Sequence, residues 1–153
     1  MQILIGAIGR LRAGPEAALL EHFQKRITAW PLALREFELK KKAAPDRVSD
    51  AEGELLLAAI PDGAHVVVLD ETGKISSSAG IAKEMADLQD SGCRNVVFLI
   101  GGADGHGDAV RARADRMIAF GRNTWPHMLM RTLLVEQIYR AQQIIARHPY
   151  HRA

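Results

Sequence analysis

The sequence predicts an α/β domain, a mostly parallel sheet with helices on both faces. Two observations carry that prediction. Apolar, β-favouring runs alternate with helix-patterned stretches from one end of the chain to the other. The runs are apolar at nearly every position, as strands covered on both faces are, and do not alternate with polar residues as a half-exposed sheet would.

Residues 3–8 form the first such run, closed by Gly9. Gly14-Pro15-Glu16 then opens a helix, with proline near its first position and an acid in its first turn. Leu19, Leu20, Phe23 and Ile27 are expected on its apolar face, and Pro31 to stop it. Residues 32–39 alternate loosely and read as a second strand, followed by the loop Lys40-Lys41-Lys42-Ala43-Ala44-Pro45. Ser49 and Glu52 have capping-box spacing, so a helix carrying Leu55, Leu56 and Ile60 is expected from there to Pro61-Asp62-Gly63. Residues 65–69 make a third strand, with Asp70-Glu71-Thr72-Gly73-Lys74 at its carboxyl end. Ser76-Ser77-Ser78 offers caps for a helix with Ile81, Met85 and Leu88, ended by Gly92. Residues 95–100 make the fourth strand, which runs into Gly101-Gly102-Ala103-Asp104-Gly105. Asp108 is placed to cap a helix over 109–115, residues 117–120 make a short fifth strand, and 121–126 a loop. Residues 127–147 form the longest helix, and 148–153 a tail.

The chain has 153 residues with no internal repeat and no compositional break, the size of a single domain. Hydrophobic residues at 48 % and charged residues at 25 % exclude an intrinsically disordered composition. No apolar run approaches the about 20 residues that span a bilayer, so no membrane association is expected. The amino terminus lacks a basic segment and cleavage pattern, and the single cysteine, Cys93, excludes an internal disulfide; both fit a cytoplasmic protein. A net charge of +2 permits a nucleic-acid partner without demanding one.

Common ligand motifs fail in turn. The glycine turn does not fit G-x-G-x-x-G, because Val110 stands at the sixth position counted from Gly105. Gly73-Lys74 lacks the upstream glycine of a P-loop, where Val68 sits. There is no G-x-S-x-G elbow. The histidines lack zinc-site spacing and Cys93 stands alone, so no metal is expected.

Three strand ends come together if the sheet is parallel: Leu69-Asp70, Ile100-Gly101-Gly102 and Phe120-Gly121-Arg122. Glycine there lets a backbone pass close to a ligand. The loop that follows, Asn123-Thr124-Trp125-Pro126, combines polar groups with an aromatic ring, suited to a flat heterocycle whose edges are read by main-chain groups. The plain alternative for both segments is a tight turn and an ordinary crossover loop.

On the last helix Met130, Leu134, Ile138, Ala141 and Ile145 follow core spacing, while Leu129 and Leu133 lie off that stripe and suit a second surface such as a partner subunit. Glu136 and Arg140 are four apart: an exposed ion pair, or a carboxylate and a cation at the mouth of a site. The tail places His148, Tyr150, His151 and Arg152 close together, a composition for stacking on bases and pairing with phosphate. Lys40, Lys41 and Lys42, with Arg35 and Arg47 nearby, are a solvated loop or a phosphate contact. One reading of these features is a nucleotide-binding α/β module with a protein-interaction helix.

Taken together the residues resemble a family. Leu69-Asp70 with Gly73-Lys74, the run from Leu99 through Gly105, Thr124-Trp125-Pro126-His127, Arg131, the run from Glu136 through Ala141 and His148-Pro149-Tyr150-His151-Arg152 occur in the order found in the RlmH family of the SPOUT superfamily. The resemblance covers essentially the whole chain. It implies a sheet whose C-terminal part is threaded into a trefoil knot, S-adenosylmethionine bound in the knot, and a homodimer through the C-terminal helix. It also implies methylation of N3 of a pseudouridine in 23S rRNA within the assembled ribosome. Carried over by position, Leu69, Gly101, Gly102, Phe120, Gly121, Arg122, Asn123, Thr124 and Trp125 would hold the cofactor. The family more often has serine and leucine where this chain has Gly121 and Trp125. For the chemistry, the tail supplies the candidates: Tyr150 to stack on or hydrogen-bond to the base, His151 to assist proton removal, and Arg152 to stabilise negative charge or hold phosphate. Glu136 would be a second base or the partner that orients a cation.

Overall fold

In a computed structural model, the structure describes residues 1–41 and 43–151, the last of these by its backbone alone. Five strands form one sheet in the order β2-β1-β4-β3-β5, and every neighbouring pair is parallel. They are β1 (Gln2–Ile8), β2 (Leu32–Phe37), β3 (His65–Ile75), β4 (Asn95–Ile100) and β5 (Arg116–Ala119). The helices are α1 (Pro15–Gln24), α2 (Val48–Leu57), α3 (Ser78–Asp90), α4 (Asp108–Arg113) and α5 (His127–Ile145), with single 3-10 turns at Pro45–Arg47 and Pro149–His151.

The continuously apolar strands are buried on both faces, as expected. Ile3, Ile5, Val67, Phe98 and Ile118 pack under α1, α3 and α5. Val66, Val68, Val97 and Leu99 pack under α2 and α4 through Leu56 and Val110. One sheet therefore separates two cores.

Several local expectations are corrected. The first helix ends at Gln24, well short of Pro31; Leu19 is 47 % exposed, and Ile27 reaches the core from the segment beyond the helix. The capping box at Ser49 does not form. Pro45 starts a 3-10 turn that runs directly into α2, so Arg47 takes the cap position and Ser49 lies inside the helix. Likewise Asp108 is the first residue of α4 and Gly107 its cap, without a side-chain bond. Ser77 does cap α3, its hydroxyl accepting from the Gly80 amide. The third strand does not end at Leu69. Its pairing with β5 passes from Leu69 to Lys74, both opposite Ile118, so residues 70–73 bulge out of the ladder and the strand resumes. Gly73 is required there, because a Cβ would stand 2.7 Å from the Ile118 backbone.

α5 packs against both α1 and α3, so its buried face is wider than one stripe. Leu134, Ile138 and Ala141 are buried as expected, whereas Met130 is half-buried and Ile145 exposed. Arg131 is fully buried: it donates from Nη1 to Glu36 Oε1 at 2.6 Å and from Nη2 to the Ile8 carbonyl, tying α5 to the ends of β1 and β2.

Candidate functional site

The carboxyl ends of β3, β4 and β5 enclose a cavity of about 620 Å³, closed on one side by His127 and Met130 of α5. Its walls are the strand ends named by the sequence. Leu69 comes from β3, Gly101 and Gly102 from the turn after β4, and Phe120, Gly121, Asn123, Thr124 and Trp125 from the loop after β5. Arg122 is exposed and does not line the cavity, unlike its loop neighbours.

The glycine turn is tighter than ligand approach alone would require. The Gly105 amide donates to the Gly102 carbonyl at 3.2 Å, and Gly105 has φ of +73°. A Cβ on Gly101 would stand 2.8 Å from the Gly105 carbonyl oxygen, and one on Gly102 would stand 2.6 Å from Glu52 Oε2. The missing side chains thus serve the turn's own closure and its seating on α2. Its backbone forms the cavity wall as a consequence.

Beside that wall sits Asp70, named by the sequence as part of a strand end, with His106 and Arg111, which the sequence did not single out. His106 is buried, and its Nε2–H donates to the Leu69 carbonyl at 3.1 Å, bridging the turn after β4 to β3. Burial pulls its imidazole below the ordinary value, against the opposing pull of Asp70 and the Leu69 carbonyl. Asp70 receives the Thr72 amide at 2.9 Å, the Thr72 hydroxyl at 2.6 Å and Arg111 Nε at 3.0 Å. Burial alone would raise its carboxyl, but these donors outweigh burial and hold it below the usual carboxylate range. An aspartate at a strand end with threonine two residues on is a turn signal legible in the sequence. The arrival of Arg111 from α4 is not.

The loop after β5 is closed on itself. Trp125 Nε1 donates to the Phe120 carbonyl at 3.0 Å, and Gly121 has φ of +100°, a conformation that favours glycine. The indole is thereby pinned at the cavity edge, with part of its surface open.

The remaining predicted residues gather elsewhere. Glu136 and Arg140 are not a simple exposed pair. Glu136 Oε1 accepts from Arg140 Nε at 2.9 Å, from Arg140 Nη2 at 2.6 Å and from the Tyr150 hydroxyl at 3.2 Å, while Oε2 accepts from Gln137 at 2.7 Å. Tyr150 stacks edge-on against Tyr139 at 4.8 Å, with the Arg140 guanidinium 5.0 Å from its ring. Neither Glu136 nor Tyr150 lines the cavity. The backbone of His151 completes the turn Pro149–His151, whereas its side chain and Arg152 lie outside the described residues, as does Lys42. Among the described residues no group of His, Cys, Asp and Glu is arranged to hold a metal ion, and no helix is long and apolar enough to cross a membrane.

A family profile described as predicted SPOUT methyltransferase matches residues 1–151. The chain belongs to the SPOUT methyltransferase family. Within it the chain is 52 % identical to a ribosomal RNA large subunit methyltransferase H of Paramagnetospirillum magneticum, with 99 % of each chain covered. Proteins of the same name from Rhodospirillum centenum and Rhodospirillum rubrum are each 48 % identical over the full length of both chains. In this SPOUT chain, the cavity and the Glu136–Tyr150 cluster are two separate gatherings of the residues that the sequence singled out.

Proposed function

We propose that this protein transfers a methyl group from S-adenosylmethionine to N3 of a pseudouridine in the 23S rRNA of the assembled ribosome. The observation that carries the reading is the cavity at the three strand ends, in a chain similar over its whole length to large-subunit methyltransferases.

The cavity residues fit the cofactor. Its volume is in the range of small-molecule sites. Leu69, Phe120, Trp125 and Met130 offer apolar walls, and the Gly101-Gly102 backbone and Asn123 and Thr124 offer polar edges. Glu71 and Asp104 at the lining place negative charge against a molecule that bears a sulfonium and an ammonium group. When bound, S-adenosylmethionine supplies an electrophilic methyl carbon. Arg122 has no part in holding the cofactor by its side chain in this assignment.

The chain's own task is then positioning the base and handling one proton. Tyr150 contacts the base, His151 assists removal of the N3 proton and Arg152 holds developing negative charge or phosphate. Both oxygens of Glu136 are already hydrogen-bonded, which favours an orienting role over that of a base. Because Tyr150 and Glu136 do not line the cavity of their own chain, the reading has the tail act on the cavity of a second copy. Leu129 and Leu133, half-exposed on α5, supply apolar surface for a homodimer. The reading also takes in a C-terminal part threaded into a trefoil knot and a cytoplasmic location beside ribosomes.

Methyl transfer from labelled cofactor to intact ribosomes, followed by mapping of the modified base, tests the proposal. Calorimetric titration with S-adenosylmethionine, NAD and ATP tests the site. Micromolar preference for the first is expected. Preference for either of the others favours a nucleotide-binding module with an interaction helix.

A further inference from the structure

All five strands are parallel, so all five loops beyond their carboxyl ends leave the same edge of the sheet. The strand order divides that edge. The cavity takes the ends of β4, β3 and β5; the ends of β1 and β2, on the other half, carry loops 9–14 and 38–44.

The two halves differ in charge. On the cavity half, exposed Glu71 and Asp104 line the pocket, with exposed Arg122 on the loop after β5. Exposed Arg10, Arg12, Lys40, Lys41 and Arg47 stand on and just after the β1 and β2 loops. Three of the nearby acids are paired or turned away, and exposed Asp46 stands next to Arg47. Glu36 is held by buried Arg131 and by the Leu11 amide, Glu38 pairs with Arg10 at 3.2 Å, and Asp50 is turned against Gly107. Among the described residues no salt bridge engages Arg12, Lys40 or Lys41.

The loop after β1 starts against the cavity wall, and the loop after β2 leads into a helix that lies against it. A Cβ on Gly9 would stand 3.0 Å from Met128 Cε and 3.7 Å from Nε2 of His127, which lines the cavity. On the other side, Glu52 of α2 sits against Gly102 of the glycine turn, and Asp50 against Gly107, the cap of α4. The cations therefore stand on loops that flank the cofactor pocket.

We propose that the loops after β1 and β2 form a phosphate-docking ridge for the RNA substrate, with Arg12, Lys40 and Lys41 as its main cations. The proposal rests on the RNA-methyltransferase reading above. Phosphate contacts supply affinity and orientation without reading sequence. The acidic cavity rim repels phosphate and the neighbouring ridge attracts it, so the charge division orients the RNA backbone along β1 and β2 and leaves the pocket to the cofactor.

The test is the full-length triple variant Arg12→Gln, Lys40→Gln, Lys41→Gln, with Lys25→Gln, Lys83→Gln, Arg94→Gln as a charge-matched control elsewhere on the surface. Binding to intact ribosomes is measured across a salt series, and methyl transfer alongside it. The triple variant is expected to bind ribosomes about tenfold or more weakly, with a log-log salt slope shallower by about 2. Its KM for ribosomes rises with kcat unchanged, and its calorimetric affinity for S-adenosylmethionine stays that of the unaltered protein. Equal ribosome binding and salt slope in the triple variant and the unaltered protein overturns the ridge, as does a loss that appears in cofactor affinity instead. Absence of methyl transfer by the unaltered protein counts against the enzymatic reading, while the binding series still decides the ridge.

Discussion

The Tyr150 hydroxyl donates to Glu136 Oε1 at 3.2 Å, which fastens the start of the tail to the middle of α5. Arg140 donates twice to the same oxygen. Glu136 is thus the hub that fixes both a phenol and a guanidinium. Replacing it by alanine frees both groups and leaves the cavity lining intact. Glu136→Ala is expected to lower methyl transfer to ribosomes about ten- to a hundredfold, the scale of a misplaced reacting group. Calorimetric affinity for S-adenosylmethionine should change less than about twofold, since the residue does not line the cavity. A loss of cofactor binding would show that Glu136 acts on the pocket instead.

Trp125 offers a ring to the cavity and a donor to its own loop. Trp125→Ala removes both and should weaken S-adenosylmethionine binding about tenfold or more. Trp125→Phe keeps an aromatic face but leaves the Phe120 carbonyl without the indole donor, so its affinity should fall between the two. Calorimetry of the three proteins gives the order. Unchanged affinity in the alanine variant removes the loop after β5 from the cofactor site.

Gly101 has no room for a methyl group against the Gly105 carbonyl. Gly101→Ala must open the turn, and Gly101→Val must open it further. Cofactor affinity should drop about tenfold for alanine and fall below detection for valine, with a lowered melting temperature in both. The stability change is the informative companion. Lost binding with an unchanged melting temperature would mean that the side chain obstructs the ligand and not the turn.

The native state favours a neutral His106, because burial pulls its pKa below the ordinary 6.5. Between the folded and ordinary values the unfolded chain binds more protons, so stability rises with pH across that window. The contribution of His106 is fully present above pH 6.5 and is lost as pH falls through the folded value. His127, lowered by burial and then by Arg131, acts in the same direction. Asp70, also held low, adds a loss only further down, below its ordinary 3.8. Urea midpoints should therefore decline as pH falls below 6.5. His106→Gln, which can still donate to the Leu69 carbonyl but does not titrate, should flatten the decline. An unaltered slope in that variant assigns the dependence to other groups.

Removing Arg131 strands a carboxylate and a carbonyl. Arg131→Met is expected to cost about 3 kcal/mol in urea unfolding, as breaking a buried pair does. The further change Glu36→Gln should recover part of it, by removing the uncompensated charge. A cost below about 1 kcal/mol would place the stability of the α5 anchor in apolar packing alone.

The sequence by itself determined the layered architecture. Strands such as residues 66–69 and 96–100 are apolar at every position, and only a sheet covered on both faces can bury them. It also placed the strand ends on one edge, because parallel strands present their carboxyl ends together; that β4, β3 and β5 lie side by side there follows from the strand order, which only the tertiary structure decided. Local signals with competitors were less reliable. The Ser49–Glu52 spacing lost to Pro45, which started the helix a turn earlier. Only the tertiary structure decided what these groups touch. Glu52 lies against Gly102, Arg111 reaches Asp70, His106 reaches the Leu69 carbonyl and Arg131 reaches Glu36 across 95 positions of chain. The physical reason is that period and propensity report how one element buries its own surface. A hydrogen bond between elements depends on the register at which they dock, and that is set by the packing of both cores together.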